Sequence, residues 1–197
     1  MKIGIFGGAF NPVHNGHLHL AACYVDALAL DKMLFIPTAV SPHKSSAHLI
    51  SGVHRINMLK LAFSGNDKYA VSDIEFKRSG KSYTYDTIRE LKKMYPHDEL
   101  FLIVGSDQYL YFQNWYMADE ILNEVTLCTA CREADELKKL TQFRDEYANL
   151  KNSIISTFDA VIVSSSQIRD SVHNAEDISD FVPEKVENYI MEHKLYV

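Results

Sequence analysis

Two histidines follow a pair of glycines near the start of the chain, in the run Gly7-Gly8-Ala9-Phe10-Asn11-Pro12-Val13-His14-Asn15-Gly16-His17. Glycine lets backbone amides approach an anion closely, because no side chain stands between them. The helix expected from about Gly16 adds unpaired amides and a favourable dipole. A spacing of three on a helical turn puts both imidazoles on one side, with a glycine leaving room between them. The run therefore predicts a phosphate-binding loop whose histidines act on a phosphoryl group.

Other phosphate, metal and redox motifs do not fit this chain. No Gly-Lys-Ser/Thr follows the glycines, and the dinucleotide pattern G-x-G-x-x-G is absent. Neither H-E-x-x-H nor a nearby carboxylate or cysteine completes a zinc site around the histidines. Cys128 and Cys131 form a C-x-x-C, but they fall on a predicted strand where positions three apart face opposite sides. We expect ordinary free thiols and a reducing compartment.

Short β-rich runs alternate with helical stretches along the chain. The strands are expected at residues 2–6, 33–36, 69–74, 100–104, 125–130 and 160–163, and the helices at 18–30, 53–63, 84–94 and 136–150, with short helices near Ser166 and Pro183. This order predicts an α/β fold, a Rossmann-like doubly wound parallel sheet with helices on both faces. Its ligand should lie beyond the carboxyl ends of the strands, where the phosphate-binding loop also lies.

Length and charge limit the class of protein. The chain has 197 residues and a net charge of -6, which predicts one domain over residues 1–197 and argues against a nucleic-acid partner. No run approaches the ~18 apolar residues of a membrane span, so a cytoplasmic protein without a membrane partner is expected. The sequence leaves a homo-oligomer open.

Several segments together resemble one enzyme family. The run G-G-x-F-x-P-x-H-x-G-H looks like the signature of the nucleotidyltransferase superfamily with the H-x-G-H motif. The order and spacing of Ser82-Tyr83-Thr84-Tyr85-Asp86-Thr87, Gly105-Ser106-Asp107, Trp115 and Ser164-Ser165-Ser166-Gln167-Ile168-Arg169 are similar to those of bacterial nicotinate-nucleotide adenylyltransferases. The stretch from Phe181 to Tyr196 resembles the tail of that family, so the likeness spans essentially the whole chain.

The resemblance implies a reaction and a set of site residues. It implies transfer of AMP from MgATP to nicotinate mononucleotide, with Mg²⁺ bound alongside ATP and no protein ligand named for it. It assigns catalysis to His14, His17, Lys44 and Arg169. It assigns ATP to the two histidines and Arg169 with Gly7, Gly8, Ala9, Phe10, Gly105, Ser165, Ser166 and Ile168, and nicotinate mononucleotide to Lys44, Tyr83, Thr84, Tyr85, Asp107 and Trp115. The part from about residue 164 would close the ATP site.

Local chemistry supports several of these assignments. Ser164 to Ser166 read as a helix cap, and Arg169, expected in the first turn of that helix, is disfavoured there unless an anion binds. Thr84 can cap the helix that follows it, whose first amides would suit a carboxylate better than a carboxamide. Arg55 reads as a surface or salt-bridge residue of its helix, although the family resemblance permits a structural role beneath the site. The loop at Arg132 lacks the family's Pro and Gly, which leaves an ATP contact there open.

Two other functions remain open at this stage. A sister adenylyltransferase acting on nicotinamide mononucleotide or phosphopantetheine shares the H-x-G-H element, although Ser82 to Thr87 and Trp115 argue against both. A catalytically silent nucleotide-binding protein would keep the fold and bind ATP without releasing pyrophosphate. A pyrophosphate-release assay therefore distinguishes an adenylyltransferase from a silent nucleotide-binding protein.

Overall fold

A single parallel sheet organises the chain. The computed structural model describes residues 1–42, 49–131, 133–159 and 161–197. Within these ranges, six strands form a sheet in the order β3-β2-β1-β4-β5-β6, and every neighbouring pair is parallel. The strands are β1 (Lys2–Gly8), β2 (Lys32–Pro37), β3 (Tyr69–Val71), β4 (Glu99–Val104), β5 (Thr126–Cys131) and β6 (Ile154–Thr157). The predicted α/β fold is confirmed.

Helices cover both faces of the sheet. They are α1 (Asn15–Ala27), α2 (Gly52–Ala62), α3 (Thr84–Met94), α4 (Ser106–Tyr111), α5 (Ala118–Glu124), α6 (Ala134–Glu146), α7 (Ser165–His173) and α8 (Glu184–Glu192). Alternate strand residues enter two cores: Phe6 and Phe35 pack with residues of α1, α2, α7 and α8, whereas Ile5 and Leu34 pack with residues of α3 to α6. No helix of the described ranges is long and apolar enough to cross a bilayer.

Strand order creates a crevice at the middle of the sheet. The chain moves from β1 to β2 and β3 on one side, then returns to β4 on the other side of β1. Loops leaving β1 and β4 therefore diverge in opposite directions, and ligands of open α/β sheets bind in such a gap. The glycine pair ends β1, so the fold places the loop that is predicted to bind phosphate at this gap.

The structure corrects several predicted boundaries. The last strand lies at Ile154–Thr157, because this run pairs with β5, and residues 161–163 are not in a strand. The charged helix runs Ala134–Glu146 rather than 136–150, and a 3-10 turn at Ala148–Leu150 follows it. The third strand stops at Val71, before a 3-10 turn at Ile74–Lys77. The first helix is Asn15–Ala27 rather than 18–30, and α4 and α5 were not predicted.

The cysteines lie where the strand pattern predicts. Cys128 is buried in one core and Cys131 in the other, on opposite faces of β5. Cys23 lies on α1, and all three thiols are free. The C-x-x-C is therefore a packing feature of a strand.

Candidate active site

A cleft of about 490 Å³ lies at the carboxyl ends of the central strands. Gly7 and Gly8 at the end of β1, Ile36 in β2 and Val104 at the end of β4 contribute to its lining. Three further regions of the described chain line it. They are the loop after β1 together with the start of α7, the loop after β2 together with Glu75, and the start of α3 together with residues of the segment 105–116.

The glycine turn combines an open side with a tightly packed side. A side chain at Gly7 would meet no atom within 4 Å, so this backbone borders open space in the cleft. A Cβ at Gly8 would lie 3.2 Å from the ring of Phe10. Phe10 is buried with φ of +47°, a backbone strain that such a bulky residue keeps only when its surroundings hold it. Its ring packs edge-on against Phe6 and His17.

The two histidines lie together at the start of α1. Their ring centroids are 3.7 Å apart, which confirms that the spacing of three places them on one side. The backbone amide of His14 donates to Nδ1 of His17 at 3.2 Å. Because Nδ1 accepts, the neutral His17 ring carries its proton on Nε2. A Cβ at Gly16 would lie 3.1 Å from Val163 Cγ1 and 3.2 Å from His14 Nδ1, so the glycine lets the ring lie close to the backbone.

Burial keeps both imidazoles neutral. It lowers the pKa of His14 from 6.5 to about 4. It also lowers the pKa of His17 well below 6.5, and the neighbouring His14 adds to this effect. His14 Nδ1 is buried and has no hydrogen-bond partner among the described residues. A buried polar atom of this kind is costly unless a ligand or water satisfies it.

Arg55 supports the loop after β1 from below. Its side chain is 2% exposed, and burial lowers its pKa. The guanidinium donates to the carbonyl oxygens of Ala9 and Thr38, each at 2.8 Å, and to that of Ile50 at 3.3 Å. It therefore connects the loop after β1 to the loop after β2. The expectation of a surface or salt-bridge residue was wrong, because the side chain is buried and bonded to backbone carbonyls, and the role that the family pattern permits fits instead.

Helix α7 borders the same end of the cleft. Ser164 is its N-cap and accepts from the amide of Gln167 at 3.1 Å, as predicted. The side chains of Ser165, Ser166 and Arg169 line the cleft. Arg169 is the fifth residue of α7 rather than part of its first turn. Its guanidinium donates to the carbonyl oxygen of Asn11 at 2.9 Å and to Ser166 Oγ at 3.0 Å.

The other end of the cleft is aromatic and includes the start of α3. Tyr83, Thr84, Trp115 and Tyr116 line it. The Tyr83 and Tyr116 rings lie 4.8 Å apart, and Trp115 packs on Phe112 at 5.0 Å. Tyr83 occupies the N-cap position of α3 without a side-chain hydrogen bond, and Thr84 is the first helical residue. The expectation that Thr84 caps the helix was wrong, because the helix begins at Thr84 itself.

A buried polar network stands behind the start of α3. Glu75 is 8% exposed and lines the cleft. It accepts from the Thr87 hydroxyl at 3.0 Å and from the amide of Ala39 at 3.3 Å. Arg78 donates to Thr87 Oγ1 at 2.6 Å and to Glu90 at 3.0 Å. The network fixes α3 against the loop after β2.

Most, but not all, of the predicted site residues line the cleft. Those that line it are Gly7, Gly8, Ala9, Tyr83, Thr84, Gly105, Trp115, Ser165, Ser166 and Arg169. Of the others that are described, His14, His17, Phe10, Tyr85, Asp107 and Ile168 lie outside the lining. Ile168 is fully buried in the core, whereas Asp107 is exposed on α4 and accepts from Gln108. Lys44 and Arg132 lie outside the described residues.

Sequence reasoning missed several residues of the lining. They are Asn11, Thr38, Glu75, Gln108 and Tyr116. Tyr116 and Gln108 adjoin residues that were singled out, so their position beside Trp115 and Asp107 could have indicated them. Asn11 lies within the glycine–histidine run itself. Nothing local marks Glu75, because a 3-10 turn brings it to the cleft.

Comparisons with known proteins agree with this geometry. The cytidylyltransferase-like family model matches residues 5–171. The nicotinate-nucleotide adenylyltransferase of Bacillus subtilis is 36% identical and the match covers 99% of this chain and 98% of that protein. A Carboxydothermus hydrogenoformans protein, described as a "probable nicotinate-nucleotide adenylyltransferase", is 40% identical, with 99% and 98% covered.

A solved structure shows the same fold. The nicotinic acid mononucleotide adenylyltransferase of Plasmodium falciparum, complexed with NaAD, superposes with a TM-score of 0.77 at 20% identity, covering 99% of this chain and 97% of that one. The match extends over nearly all of both chains, so it includes the sheet and the helices that border the cleft. With the two bacterial relatives matching over nearly their whole length, the chain belongs to the nicotinate-nucleotide adenylyltransferases, a family of cytidylyltransferase-like fold.

Proposed function

We propose that this protein transfers AMP from MgATP to nicotinate mononucleotide, which yields nicotinate adenine dinucleotide and pyrophosphate for NAD biosynthesis. One observation carries the proposal: a single cleft joins an end lined by glycine, serine and arginine to an aromatic end. The first end has the glycine turn, the start of α7 and Arg169. The second has Tyr83, Thr84 and Trp115, which suit a flat ring with a carboxylate. Two nucleotides can therefore meet in one crevice.

Positioning and charge stabilisation account for the catalysis. The acceptor phosphate is already an anionic nucleophile, so no covalent enzyme intermediate is needed. Its oxygen attacks the α-phosphorus of ATP, and pyrophosphate leaves. His17 offers an Nε2 proton because its Nδ1 is occupied by the His14 amide. His14 and His17 are proposed to donate to the phosphates, and the unpartnered buried Nδ1 of His14 supports a ligand nearby. Lys44 is proposed as a further phosphate contact.

Phosphate binding should change the charge of His14. Both rings are neutral in the free protein, because burial lowers their pKa values. A triphosphate beside them favours the protonated forms and raises those pKa values. His14 would then gain positive charge as negative charge builds up at the α-phosphorus, whereas His17 donates from Nε2 as a neutral ring while its Nδ1 accepts from the His14 amide. Arg169 is proposed to add fixed positive charge at this end of the cleft.

The start of α3 is proposed to select the acceptor. Its first amides are donors, which can bind a carboxylate but cannot bind the NH₂ of a carboxamide. Trp115 is proposed to provide a ring face for the pyridine, and Tyr83 lines the same end of the cleft. Tyr83 and Tyr85 both pack against Tyr116. Asp107 is proposed to accept from the ribose hydroxyls. The ring and the carboxylate are then bound by different parts of the wall.

Magnesium is proposed to enter as part of MgATP. Its preferred ligands are oxygens, and the triphosphate supplies several of them. Among the described residues, no three His, Cys, Asp or Glu side chains are grouped as a metal site. The donors proposed for the phosphates suit a metal held by the nucleotide and by water.

The domain assignment is also a proposal. The chain acts as one nucleotidyltransferase domain over residues 1–197, and the part from about 164 closes the ATP end of the cleft. Ser165, Ser166 and Arg169 in the lining support this. A cytoplasmic location is supported by three free thiols. Small molecules are the proposed partners, and the oligomeric state is left open.

A pyrophosphate-release assay tests the proposal. MgATP is combined separately with nicotinate mononucleotide, nicotinamide mononucleotide and phosphopantetheine under identical conditions. We expect the nicotinate substrate to lead by at least ~100-fold in kcat/KM, as loss of a matched polar partner permits. If nicotinamide mononucleotide or phosphopantetheine gives the highest kcat/KM, the protein is an adenylyltransferase for that acceptor and this proposal is wrong. ATP binding without pyrophosphate release from any acceptor would indicate a silent binding protein.

A further inference from the structure

The loop that carries the histidines is bound by a distant part of the chain. Ser165 Oγ donates to the carbonyl oxygen of Pro12 at 2.8 Å, and Arg169 donates to that of Asn11 at 2.9 Å. The amide of Asn15 donates to the carbonyl oxygen of Phe181 at 2.8 Å, and its side chain donates to that of Asp180 at 3.0 Å. These bonds to residues 11–15, together with a hydrogen bond from Tyr196 to the Asn11 side chain, are called the C-terminal clamp.

Tyr196 makes the clamp's contact to a side chain of the cleft wall. Its hydroxyl donates to Asn11 Oδ1 at 3.1 Å, across 185 positions of sequence. The same oxygen accepts from the amide of Ile50 at 3.4 Å. Asn11 is 3% exposed and lines the cleft, three residues before His14. Asn11 is thus bound twice by the C-terminal part of the chain: Arg169 donates to its backbone carbonyl and Tyr196 donates to its side chain.

The backbone around Tyr196 is strained where it reaches the loop. Lys194 and Tyr196 have φ of +49° and +67°, in the left-handed region that residues other than glycine rarely adopt. Such strain persists only where the surroundings compensate for it. Burial raises the pKa of Tyr196, so the hydroxyl keeps its proton and remains a donor. Ile190 and Leu195 beside it are buried in the core, which anchors this segment.

We infer that Tyr196 is a positioning residue for the transfer reaction, holding Asn11 so that the loop presents its two histidines to the phosphates. This inference rests on the proposed function for its kinetic consequence. A displacement of about 1 Å at reacting groups can cost about 100-fold in rate, whereas ground-state binding of the other substrate is untouched. Losing the hydroxyl should therefore lower kcat more than it alters the KM for nicotinate mononucleotide.

A pair of matched tyrosine variants tests the inference. Tyr196→Phe removes only the hydroxyl on Asn11. Tyr189→Phe is the control, because its hydroxyl lies in the same C-terminal part but binds His54 and Asn57, each at 3.0 Å, away from the loop. Both variants lose polar contacts, so each should lower Tm by about 2 to 4 °C per lost bond. Steady-state kinetics is measured alongside hydrogen exchange of the peptide spanning residues 9–18.

The clamp predicts different kinetics for the two variants. Tyr196→Phe should lower kcat about tenfold with the KM for nicotinate mononucleotide within about twofold, and should speed exchange in the 9–18 peptide. Tyr189→Phe should leave kcat and that exchange within about twofold of the parent protein. Equal loss of kcat in the two variants would overturn the inference, because it would show a merely structural effect. Unchanged kcat and exchange in Tyr196→Phe would overturn it as well.

The exchange measurement keeps this test separate from the test of the proposed function. It needs no turnover, so it reports on the clamp whichever acceptor the protein uses. A parent protein without pyrophosphate release from nicotinate mononucleotide would contradict the proposed function. Faster loop exchange confined to Tyr196→Phe would still support the clamp in that case.

Discussion

His17 is the residue at which binding and turnover should separate. Its Nε2 proton is proposed to bind phosphates most tightly as charge develops, so His17→Ala should lower kcat by about 100-fold or more. The Kd for nicotinate mononucleotide should change by less than about threefold. Trp115, the one tryptophan of the chain, lines the cleft, so its fluorescence can report that Kd. His19→Ala on the same helix is the control, since His19 contacts the Asp159 carbonyl instead. Equal losses in kcat and binding would contradict the assignment.

The buried histidines should also make the protein acid-sensitive. The pKa of His14 is about 4 in the folded protein and 6.5 ordinarily, so between these values the unfolded chain binds more protons. The free energy of unfolding therefore falls as the pH drops below 6.5, by up to about 3 kcal/mol from this group. His17 acts in the same direction. Urea unfolding at pH 7.5 and 4.5 should show a smaller difference for His14→Asn than for the parent. An identical pH dependence in both would show that His14 titrates normally.

At the scale of the element, the start of α3 allows a single backbone amide donor, that of residue 84, to be removed without other changes to the helix. Proline is accommodated at the first position of a helix, and Tyr83 before it has the extended backbone that a following proline requires. Thr84→Pro should therefore keep the helix and delete one amide donor. We expect kcat/KM for nicotinate mononucleotide to fall at least about tenfold, with little change for nicotinamide mononucleotide. Thr84→Ala keeps the amide and should retain the preference. A preference unaltered by the proline would show that the carboxylate is recognised elsewhere.

The link that Arg55 makes between two loops should contribute strongly to stability. Arg55→Met would leave the buried carbonyls of Ala9 and Thr38 without this donor, so the free energy of unfolding should fall by about 2–3 kcal/mol. Arg89→Met is the comparison, because Arg89 is exposed and lies over the ring of Tyr85, a cation–π contact worth about 0.5–1 kcal/mol. Urea denaturation measures both. Similar losses for the two variants would contradict the role given to Arg55.

Strands and helices could be predicted where the local hydrophobic pattern of the sequence agrees with the strand pairing in the sheet. The strand-loop-helix at the start was clear, since the glycine pair separates two strongly apolar segments. The last strand was not, because Ile154 to Thr157 and the stretch 160–163 are both short and β-rich, and only pairing with Cys128 to Cys131 selects the first. Helices α4 and α5 have six and seven residues, too short for a helical period to show.

At the scale of the whole molecule, the site depends on contacts between distant residues. Thr84 and Trp115 could be proposed from short motifs, yet the roles of Glu75 and Tyr196 could not. Glu75 binds groups 12 and 36 positions away, and Tyr196 binds one 185 positions away. Such contacts exist only once the sheet has brought the loops together. The sequence therefore indicates which chemistry to expect, whereas the contacts that we propose to position it can be found only in the fold.

Competition between two acceptors tests the central claim most directly. Equal concentrations of nicotinate and nicotinamide mononucleotide are incubated with limiting MgATP, and the two dinucleotide products are separated and quantified. Their ratio equals the ratio of the two kcat/KM values, so it needs no comparison between assays. We predict at least ~100-fold more nicotinate adenine dinucleotide. Comparable amounts of the two products, or an excess of the nicotinamide one, would contradict recognition of the carboxylate at the start of α3.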